Sequence, residues 1–242
     1  MTYWLYWNEG SIIITTTEEY AQGKERVKYN QIAYEKIEEY ALLVEGEEHL
    51  YNKILIYYEA ILKENSYAYN ENKKAESAQW AHSIMGGFLY NKFVCEGYAK
   101  LFQLLLNYSG IDNYYVVGDA GGGSHVCNLV CLDDGKWYWF DSTWDDTSYG
   151  NTYKYFCVID NLFTRSHIPT SFNKLGMYAN ADLPERATTD YKNSDILEIG
   201  EEVIISNGVY ILSSYGKLKY VRGTVYKGEE LEYNGVIYNI IE

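Results

Sequence analysis

The sequence predicts an α+β fold in which N-terminal helices pack on an antiparallel sheet, with a small β-rich appendage at the C-terminal end. Residues 16–110 carry apolar side chains mostly at helical spacing, and the period becomes that of strands from "NYYVVG" onward. Helical segments followed by strands are typical of α+β rather than alternating α/β folds. We therefore expect a main domain over residues 1–190 and a β-rich accessory domain over 191–242.

The helical part divides into four segments. The first helix is expected from about Val27 to Val44, after a capping box formed by Thr16 and Glu19. A glycine pair in "SAQWAHSIMGGFLYNKF" predicts a short helix broken at Gly86-Gly87, and Gly110 suits a left-handed cap that ends the helix beginning at Cys95. The second helix is predicted by an apolar stripe at i, i+4, i+7 and i+11: Leu50, Ile54, Tyr57 and Ile61.

The second half of the chain is expected to form short strands. "NYYVVG", "HVCNLVCL", "KWYWFDST" and "YKYFCVI" are predicted strands, and "GDAGGGS" is a predicted loop that rims the strand of His125. Residues 161–192, with two prolines, are predicted to be irregular. In the last strand pair, "ELEYNGVIYNII", Asn234-Gly235 is a strong hairpin signal.

Composition excludes several classes of function. The 242 residues are 47% hydrophobic and 22% charged, which is typical of a globular protein. A net charge of −14 argues against a nucleic-acid partner, because phosphate binding needs a basic surface. No apolar run reaches the length of about 18 residues that a membrane helix needs, and the first residues lack the features of a signal peptide. The four cysteines show no zinc spacing, so a zinc site is not expected.

Cys95 is the first candidate for catalysis. It stands immediately before a helical pattern in "FVCEGYAKLF". Unpaired N–H groups and the helix dipole stabilise a thiolate at such a position, and the thiolate is the nucleophilic form. Taken alone, Cys95 fits a small buried residue better, because a nucleophile also needs a base and a group that orients the base.

The following hairpin supplies both groups if its register is right. A three-residue loop at 133–135, with Gly135 left-handed, places His125 opposite Thr143 and makes Asp141 its diagonal neighbour on the same face. A two-residue turn would move Asp141 to the opposite face. Cys95, His125 and Asp141 would then act as nucleophile, base and orienting carboxylate. The same face is expected to carry an apolar floor for the Cys95 helix: Leu129, Cys131, Trp137 and Trp139.

Five ordered motifs resemble one protein family. "FVCEGYA", "SGIDNYYVVG", "HVCN", "WYWFDSTW" and "YKYFCVIDNLFTRSH" are similar to the motifs of the transglutaminase-like superfamily, in its bacterial form, over about residues 30–167. The resemblance implies a papain-like core with a catalytic triad of Cys95, His125 and Asp141. It also implies cysteine-dependent acyl transfer on peptide or glutamine amides through a thioester, with no cofactor, and by analogy an extracellular or cell-surface location.

The resemblance also implies roles around the triad. A second oxyanion donor is expected from Tyr69 in "YAYN", with Tyr67 as the alternative, and His82, Gly123 and Trp144 are expected near or at the rim of the site. His167 matches a motif position, and structural packing is the expected role. The family usually has Trp where Cys127 stands; Cys127 is interpreted as a small core residue, with a regulatory Cys95–Cys127 disulfide as the sharper hypothesis.

The sequence leaves the reaction's acceptor open. Water would make the protein a peptidase or deamidase, and a lysine amine would make it a cross-linking transglutaminase; analogy favours hydrolysis. A protein or peptide is the expected substrate in each case. The alternative is a module that binds peptide or cell-wall fragments on the same scaffold without turnover.

Overall fold

A computed structural model describes residues 23–174 and 184–191, together with the strands at 4–8, 11–15, 177–178, 202–205, 208–212, 218–223, 230–233 and 236–241. The chain divides into two compact units, Met1–Asp190 and Tyr191–Glu242. The first contains helices followed by an antiparallel sheet, and the described part of the second contains strands. The predicted α+β class, with a β-rich C-terminal part, is therefore confirmed.

The helices of the first unit follow a terminal hairpin of β1 (Trp4–Asn8) and β2 (Ser11–Thr15). They are α1 (Gly23–Leu42), α2 (Leu50–Glu64), α3 (Ile84–Tyr90) and α4 (Cys95–Tyr108), with the two-residue strands β3 (Ser66–Tyr67) and β4 (Lys92–Phe93) pairing in parallel between them. The α2 stripe is confirmed by the burial of Ile54, Tyr57 and Ile61. The expected cap at Thr16 lies outside the described residues.

The predicted break at Gly86-Gly87 is wrong, because α3 runs through both glycines. A Cβ on Gly86 would stand 2.5 Å from the Lys92 carbonyl oxygen, and one on Gly87 would overlap the Phe93 ring. The pair therefore serves close packing rather than chain reversal. The chain turns earlier, at Ser83, whose Oγ accepts a hydrogen bond from the Met85 N–H and caps α3.

The end of α4 confirms the predicted left-handed cap. Gly110 has φ +70°, which glycine adopts without steric cost. The Ile111 N–H donates to the Leu106 carbonyl at 2.9 Å, and the Gly110 N–H donates to Asn107 at 3.1 Å. This pair of bonds is a Schellman motif, and it directs the chain into the central sheet.

The central sheet has five antiparallel strands. In chain order, the elements after α4 are β5 (Asn113–Ala120), β6 (Gly123–Cys131), β7 (Trp137–Phe140), α5 (Ser142–Asp145), β8 (Asp146–Thr147), β9 (Gly150–Asn151), α6 (Asp160–Phe163), β10 (His167–Lys174) and β11 (Met177–Tyr178). The strand order is β11-β10-β5-β6-β7. The central pair, β5 and β6, presents His125 near one end of the sheet.

Three predictions for the second half of the chain, a loop, an irregular stretch and a strand, are wrong. The predicted loop "GDAGGGS" is a two-residue turn at Gly121-Gly122, both at positive φ as a type I′ turn requires, so β5 and β6 extend to it. Residues 161–192 include α6 and β10; Pro169 is tolerated because the β5–β10 register shifts between it and Ser171. "YKYFCVI" forms only a bridge between Val158 and Trp139.

The hairpin register is confirmed near its turn. The loop has three residues, Gly135 has φ +74°, and the Leu132 N–H donates to the Lys136 carbonyl at 3.0 Å. The ladder ends at Asn128–Phe140, so the expected pairing of His125 with Thr143 does not form. The chain leaves β7 to begin α5, and Asp141 is the residue at that transition.

The expected face for the Cys95 helix is wrong. Ala99 of α4 packs with Tyr115 and Val126, and the Asn128 side chain donates to the Ala99 carbonyl at 3.0 Å. Side chains alternate along a strand, so α4 covers the face opposite to that of His125. Two members of the predicted apolar floor, Leu129 and Trp139, instead pack against Val158 and Phe163, with Trp137 at the margin of that cluster.

The outer edge of β7 is covered by later chain. The Trp139 N–H and carbonyl both pair with Val158 at 2.9 Å, and the Ala187 N–H donates to the Trp137 carbonyl at 2.9 Å. Arg186 fixes this cover, because its Nε donates to Asp160 Oδ1 at 2.6 Å. The edge strand is thereby paired along most of its length.

The second unit contains a five-stranded sheet of order β12-β13-β14-β16-β15, with β12 (Glu202–Ile205), β13 (Gly208–Leu212), β14 (Leu218–Gly223), β15 (Glu230–Tyr233) and β16 (Val236–Ile241). Tyr233 pairs with Val236, which confirms the two-residue hairpin at Asn234-Gly235. Strands β14 and β16 pair in parallel. Among the described helices of the chain, none combines the length and the apolar character needed to cross a bilayer.

Candidate active site

Cys95 is the first residue of α4, as predicted. Val94 precedes it as the cap and contributes no side-chain hydrogen bond to the helix end. The first N–H groups of a helix lack intrahelical partners and carry the positive end of its dipole. A half-buried thiol at this position is therefore placed where a thiolate is stabilised.

His125 lies on β6, where Gly118 of β5 faces it. Its ring is 8% exposed, and its Nε2 lies 2.6 Å from Asp141 Oδ2. With Nε2 committed to Asp141, the other ring nitrogen, Nδ1, is the one left for Cys95. The sheet therefore brings His125 and Asp141 together, although by a route other than the expected strand ladder.

Asp141 is 1% exposed and uses both carboxylate oxygens. Oδ1 accepts the N–H groups of Thr143 at 3.0 Å and Trp144 at 3.1 Å, which makes Asp141 the N-cap of α5. Oδ2 accepts Nε2 of His125 and, at 2.9 Å, Nε2 of His167. Burial would raise the pKa of this carboxyl, but the two imidazoles outweigh it and hold the pKa below its usual value.

The charge state of His125 follows from its neighbours. Burial lowers the pKa of the imidazole, but Asp141 and then Cys95 outweigh burial and raise the pKa to about 10. His125 is therefore an imidazolium at neutral pH. An imidazolium beside a cysteine at a helix start is the arrangement that favours a thiolate–imidazolium pair.

His167 is the functional neighbour that the sequence reasoning missed. It lies at the start of β10, in a stretch predicted to be irregular, and it is 3% exposed. Its Nε2 shares Asp141 Oδ2 with His125. The only signal in the sequence was its motif position, because nothing in "HIPTSFNK" reveals that this strand pairs with β5.

The two tyrosines considered as oxyanion donors differ in placement. Tyr69 is 65% exposed, and its ring lies 4.9 Å from that of Tyr67. Tyr67 is half-buried; burial and then the charge of Cys95 raise the pKa of its phenol to about 12. Tyr67 therefore stands within electrostatic reach of Cys95 and keeps its proton. This placement favours Tyr67 over Tyr69 as the second oxyanion donor.

The expected rim residues lie around this centre. The Trp144 ring is 6.0 Å from that of His125, and Gly123 begins β6 two residues before it. His82 contacts the first turn of α4 from outside, because its Nδ1 lies 3.1 Å from Glu96 Oε2. These positions border the Cys95 helix or the His125 strand.

Cys127 packs as a small core residue. It is buried with Val116 and Leu129, and burial holds the pKa of its thiol well above the ordinary value. Cys95 and Cys127 are both free thiols here. A small cavity beside His125 and His167 has Cys127 in its wall.

The carboxylate of the last residue of α5 anchors the next loop. Asp145 accepts hydrogen bonds from Tyr58 Oη and Thr152 Oγ1, both at 2.6 Å, and from the Tyr155 N–H. Burial raises the pKa of its carboxyl to about 6. These bonds fix the chain beyond Asp141 to α2, and thereby hold the short helix that Asp141 caps.

The ligand atoms of His125, Asp141 and His167 lie within 4.8 Å of one another, a spacing that a metal ion could use. Both imidazole Nε2 atoms already bond the same carboxylate oxygen, and these bonds account for the spacing. The cluster is therefore best described as a hydrogen-bonded His125–Asp141 pair with an additional imidazole.

Comparisons with known proteins agree with these observations. A family model described as the transglutaminase-like superfamily matches residues 39–142. No curated protein matches the chain.

Three solved structures are similar to parts of this chain. A TGase is 17% identical with a TM-score of 0.43, and the matched region covers 55% of this chain and 36% of the TGase chain. A proposed cysteine protease from Cytophaga hutchinsonii is 14% identical with a TM-score of 0.37, and the matched region covers 72% of this chain and 63% of the protease chain. A proposed protease from Parabacteroides distasonis is 14% identical with a TM-score of 0.33, and the matched region covers 57% of this chain and 35% of the protease chain. The chain spans less than two thirds of each of these proteins.

Proposed function

We propose, from the match of residues 39–142 to the transglutaminase-like superfamily, that the chain is a cysteine-dependent enzyme of amide chemistry. Its substrate is a peptide bond or a glutamine side chain in a protein or peptide. The observation that carries the proposal is the His125–Asp141 hydrogen bond of 2.6 Å, formed by Nε2, which leaves Nδ1 for Cys95. Catalysis is assigned to residues 1–190, and 191–242 to an accessory domain.

The first half of the reaction forms a thioester. The Cys95 Sγ thiolate attacks the amide carbonyl carbon, and the carbonyl electron pair moves to oxygen. When the tetrahedral intermediate collapses, the C–N bond breaks and the His125 imidazolium gives its proton to the leaving nitrogen. Asp141 keeps the ring oriented and stabilises its charge throughout.

The developing oxyanion needs two donors. The Cys95 backbone N–H is one, because the first N–H of a helix has no intrahelical partner. Tyr67 is the better second donor: its phenol stays protonated across the neutral range, and the thiolate's charge reaches it. Tyr69, with most of its side chain in solvent, is assigned to the rim.

The second half of the reaction releases the acyl group. Neutral His125 removes a proton from water or from an amine, which attacks the thioester carbonyl, and Cys95 leaves as the thiolate. Water gives peptidase or deamidase activity, and a lysine amine gives a cross-link. We favour water as the acceptor.

The test is the pH dependence of alkylation at Cys95 by iodoacetamide, followed by mass spectrometry. Cys95 in the wild type is expected to react well below pH 8, whereas an ordinary thiol reacts near its pKa of about 8.5. The half-buried Cys131 serves as an internal reference in the same digest. His125→Ala is expected to move Cys95 to the profile of Cys131, because the cation that stabilises the thiolate is gone.

Acceptor and substrate can then be assayed together. Incubation with a glutamine-containing casein and a fluorescent primary amine separates amine incorporation, ammonia release and peptide cleavage. Slow labelling of Cys95 that is unchanged in His125→Ala would refute the enzyme and favour the non-catalytic peptide- or cell-wall-binding module.

A further inference from the structure

We propose that His167 is a positioning residue for the site. It bonds the Asp141 oxygen that does not cap α5, and it thereby weakens the hydrogen bond between Asp141 and His125. Ser166 in turn fixes the His167 ring. The inference rests on the proposed function, since it concerns the base of the same triad. It extends the triad by a Ser166–His167 pair that approaches from β10.

The evidence begins with the shared oxygen. His125 Nε2 and His167 Nε2 lie 2.6 and 2.9 Å from Asp141 Oδ2, and their ring centroids are 5.5 Å apart. With the two N–H groups on Oδ1, Asp141 accepts four hydrogen bonds, which is about all that a carboxylate can accept. A buried carboxylate with four donors remains ionised without needing solvent.

Ser166 determines which nitrogen of His167 faces Asp141. Its Oγ lies 2.8 Å from His167 Nδ1. With Nε2–H donating to the carboxylate, Nδ1 of a neutral ring is an acceptor, and the Ser166 hydroxyl donates to it. Tyr155 Oη, 3.4 Å from Ser166 Oγ, holds the hydroxyl from the other side.

Aromatic packing fixes the plane of the ring. Phe163 stacks on His167 with centroids 4.1 Å apart and an interplanar angle of 18°, and Trp144 contacts it at 4.6 Å. The ionisable groups that face this cluster are Asp141, His125 and Cys95 in the site, Tyr155 beside Ser166, and Asp119 and Cys127 at the neighbouring cavity. The ring is thus packed by aromatic side chains and bonded at both nitrogens.

Sharing one oxygen has a direct consequence for His125. Each donor on Oδ2 takes part of the carboxylate's charge, so His167 weakens the bond that Asp141 offers to His125. Removing the second donor is expected to strengthen that bond and raise the pH at which His125 loses its proton. A histidine that only filled space would have no such effect.

The experiment uses the full chain labelled with ¹⁵N-histidine, which contains four histidines, and compares the wild type with His167→Phe, His167→Gln and Ser166→Ala. Phe keeps the stacking and removes the donor, Gln retains a donor near the position of Nε2, and Ala leaves the ring but removes its partner. His49→Gln, at the residue that precedes α2, is the matched control. The readouts are the His125 titration midpoint, the Cys95 alkylation profile and the melting temperature.

His167→Phe is expected to raise the His125 midpoint by about one pH unit, the effect of losing one hydrogen bond to a charged group. His167→Gln should restore most of the wild-type midpoint, and Ser166→Ala should fall between them. The Cys95 profile should shift with the midpoint, while His49→Gln leaves both unchanged.

The inference is overturned if His167→Phe lowers the melting temperature and leaves the His125 midpoint in place. If His167→Phe does not fold, Ser166→Ala and His167→Gln decide. A His125 midpoint equal to that of the wild type in both variants overturns the inference. Failure of the proposed function looks different, because Cys95 would then react as an ordinary thiol in the wild type while the His167-dependent midpoint shift persisted.

Discussion

Asp141 links several parts of the site through one side chain. One carboxylate oxygen caps α5 and the other accepts two imidazoles, while the group is almost wholly buried. Replacing it therefore affects a helix cap, the orientation of His125 and the balance of buried charge together.

Asp141→Asn tests this role. The amide oxygen can keep the cap, but its NH₂ group would meet the two N–H donors that Oδ2 now accepts, so His125 is expected to lose its orientation. Acyl-transfer activity should fall roughly 10²- to 10⁴-fold, and stability should fall by about 1–3 kcal/mol. Steady-state kinetics and urea unfolding measure the two effects; Asp119→Asn, an exposed carboxylate on β5, is the control.

The raised pKa of His125 makes its contribution to stability dependent on pH. A histidine whose pKa rises from 6.5 when unfolded to about 10 when folded stabilises fully below pH 6.5, and loses this contribution as pH rises through 10. The difference in melting temperature between wild type and His125→Gln should therefore be largest near pH 5–6 and small by pH 10. A constant difference across this range would contradict the assignment.

The His125–Asp141–His167 cluster is expected to work without a metal ion. Because the three side chains already satisfy one another by hydrogen bonds, treatment with EDTA should leave the rate of Cys95 alkylation unchanged within error. A loss restored by added Zn²⁺ would contradict this description of the cluster.

At the scale of single residues, local sequence patterns predicted Cys95, His125 and Asp141 as site residues, but they did not predict the contact of His167 with Asp141. Helix starts and hairpin registers are local features, and the glycine at position 135 fixes the hairpin register within a few residues. The pairing of β10 with β5 joins chain about 50 residues apart, and no local pattern encodes it. The preference for Tyr67 over Tyr69 likewise depends on tertiary burial.

At the scale of elements, two strands of the sheet approach each other closely at Gly118, the residue paired with His125. A Cβ on Gly118 would overlap the Ile168 carbonyl oxygen of β10 and stand 2.9 Å from the Pro169 Cα. Both obstacles are backbone or ring atoms, which cannot rotate away. Gly118 therefore permits the strand contact that brings His167 to Asp141.

Gly118→Ala should force β10 away from β5, lower stability by about 1–3 kcal/mol and raise the His125 titration midpoint. Gly123→Ala in the same hairpin is the matched control, because its Cβ would meet no atom within 4 Å among the described residues. Chemical denaturation and the histidine titration provide the readouts. Equal behaviour of the two variants would contradict the role given to Gly118.

Element prediction failed where packing overruled local preference. The Gly86-Gly87 pair would break an isolated helix, but the short distances to Lys92 and Phe93 require residues without a Cβ. The Cys95 helix was assigned to the wrong face of the sheet, because alternation along β6 identifies two faces and does not say which one a helix covers.

At the scale of the whole molecule, the chain forms two compact units that meet in sequence at Asp190 and Tyr191. Since the proposed catalytic residues all belong to the first unit, a chain of residues 1–190 should unfold cooperatively and keep the Cys95 alkylation profile of the full protein. Circular dichroism and mass spectrometry check this. An unfolded truncated chain, or an ordinary thiol in a folded one, would show that the second unit is needed.

The cover over β7 also has a consequence for solubility. Unpaired edge strands invite pairing with other chains and so promote aggregation. Here the Trp137 carbonyl accepts the Ala187 N–H, the N–H and C=O groups of Trp139 pair with Val158, and the Arg186–Asp160 ion pair holds that cover in place. Loss of this ion pair would leave an aromatic strand as a template for intermolecular sheets, so a variant with intact catalytic residues could still be lost to precipitation.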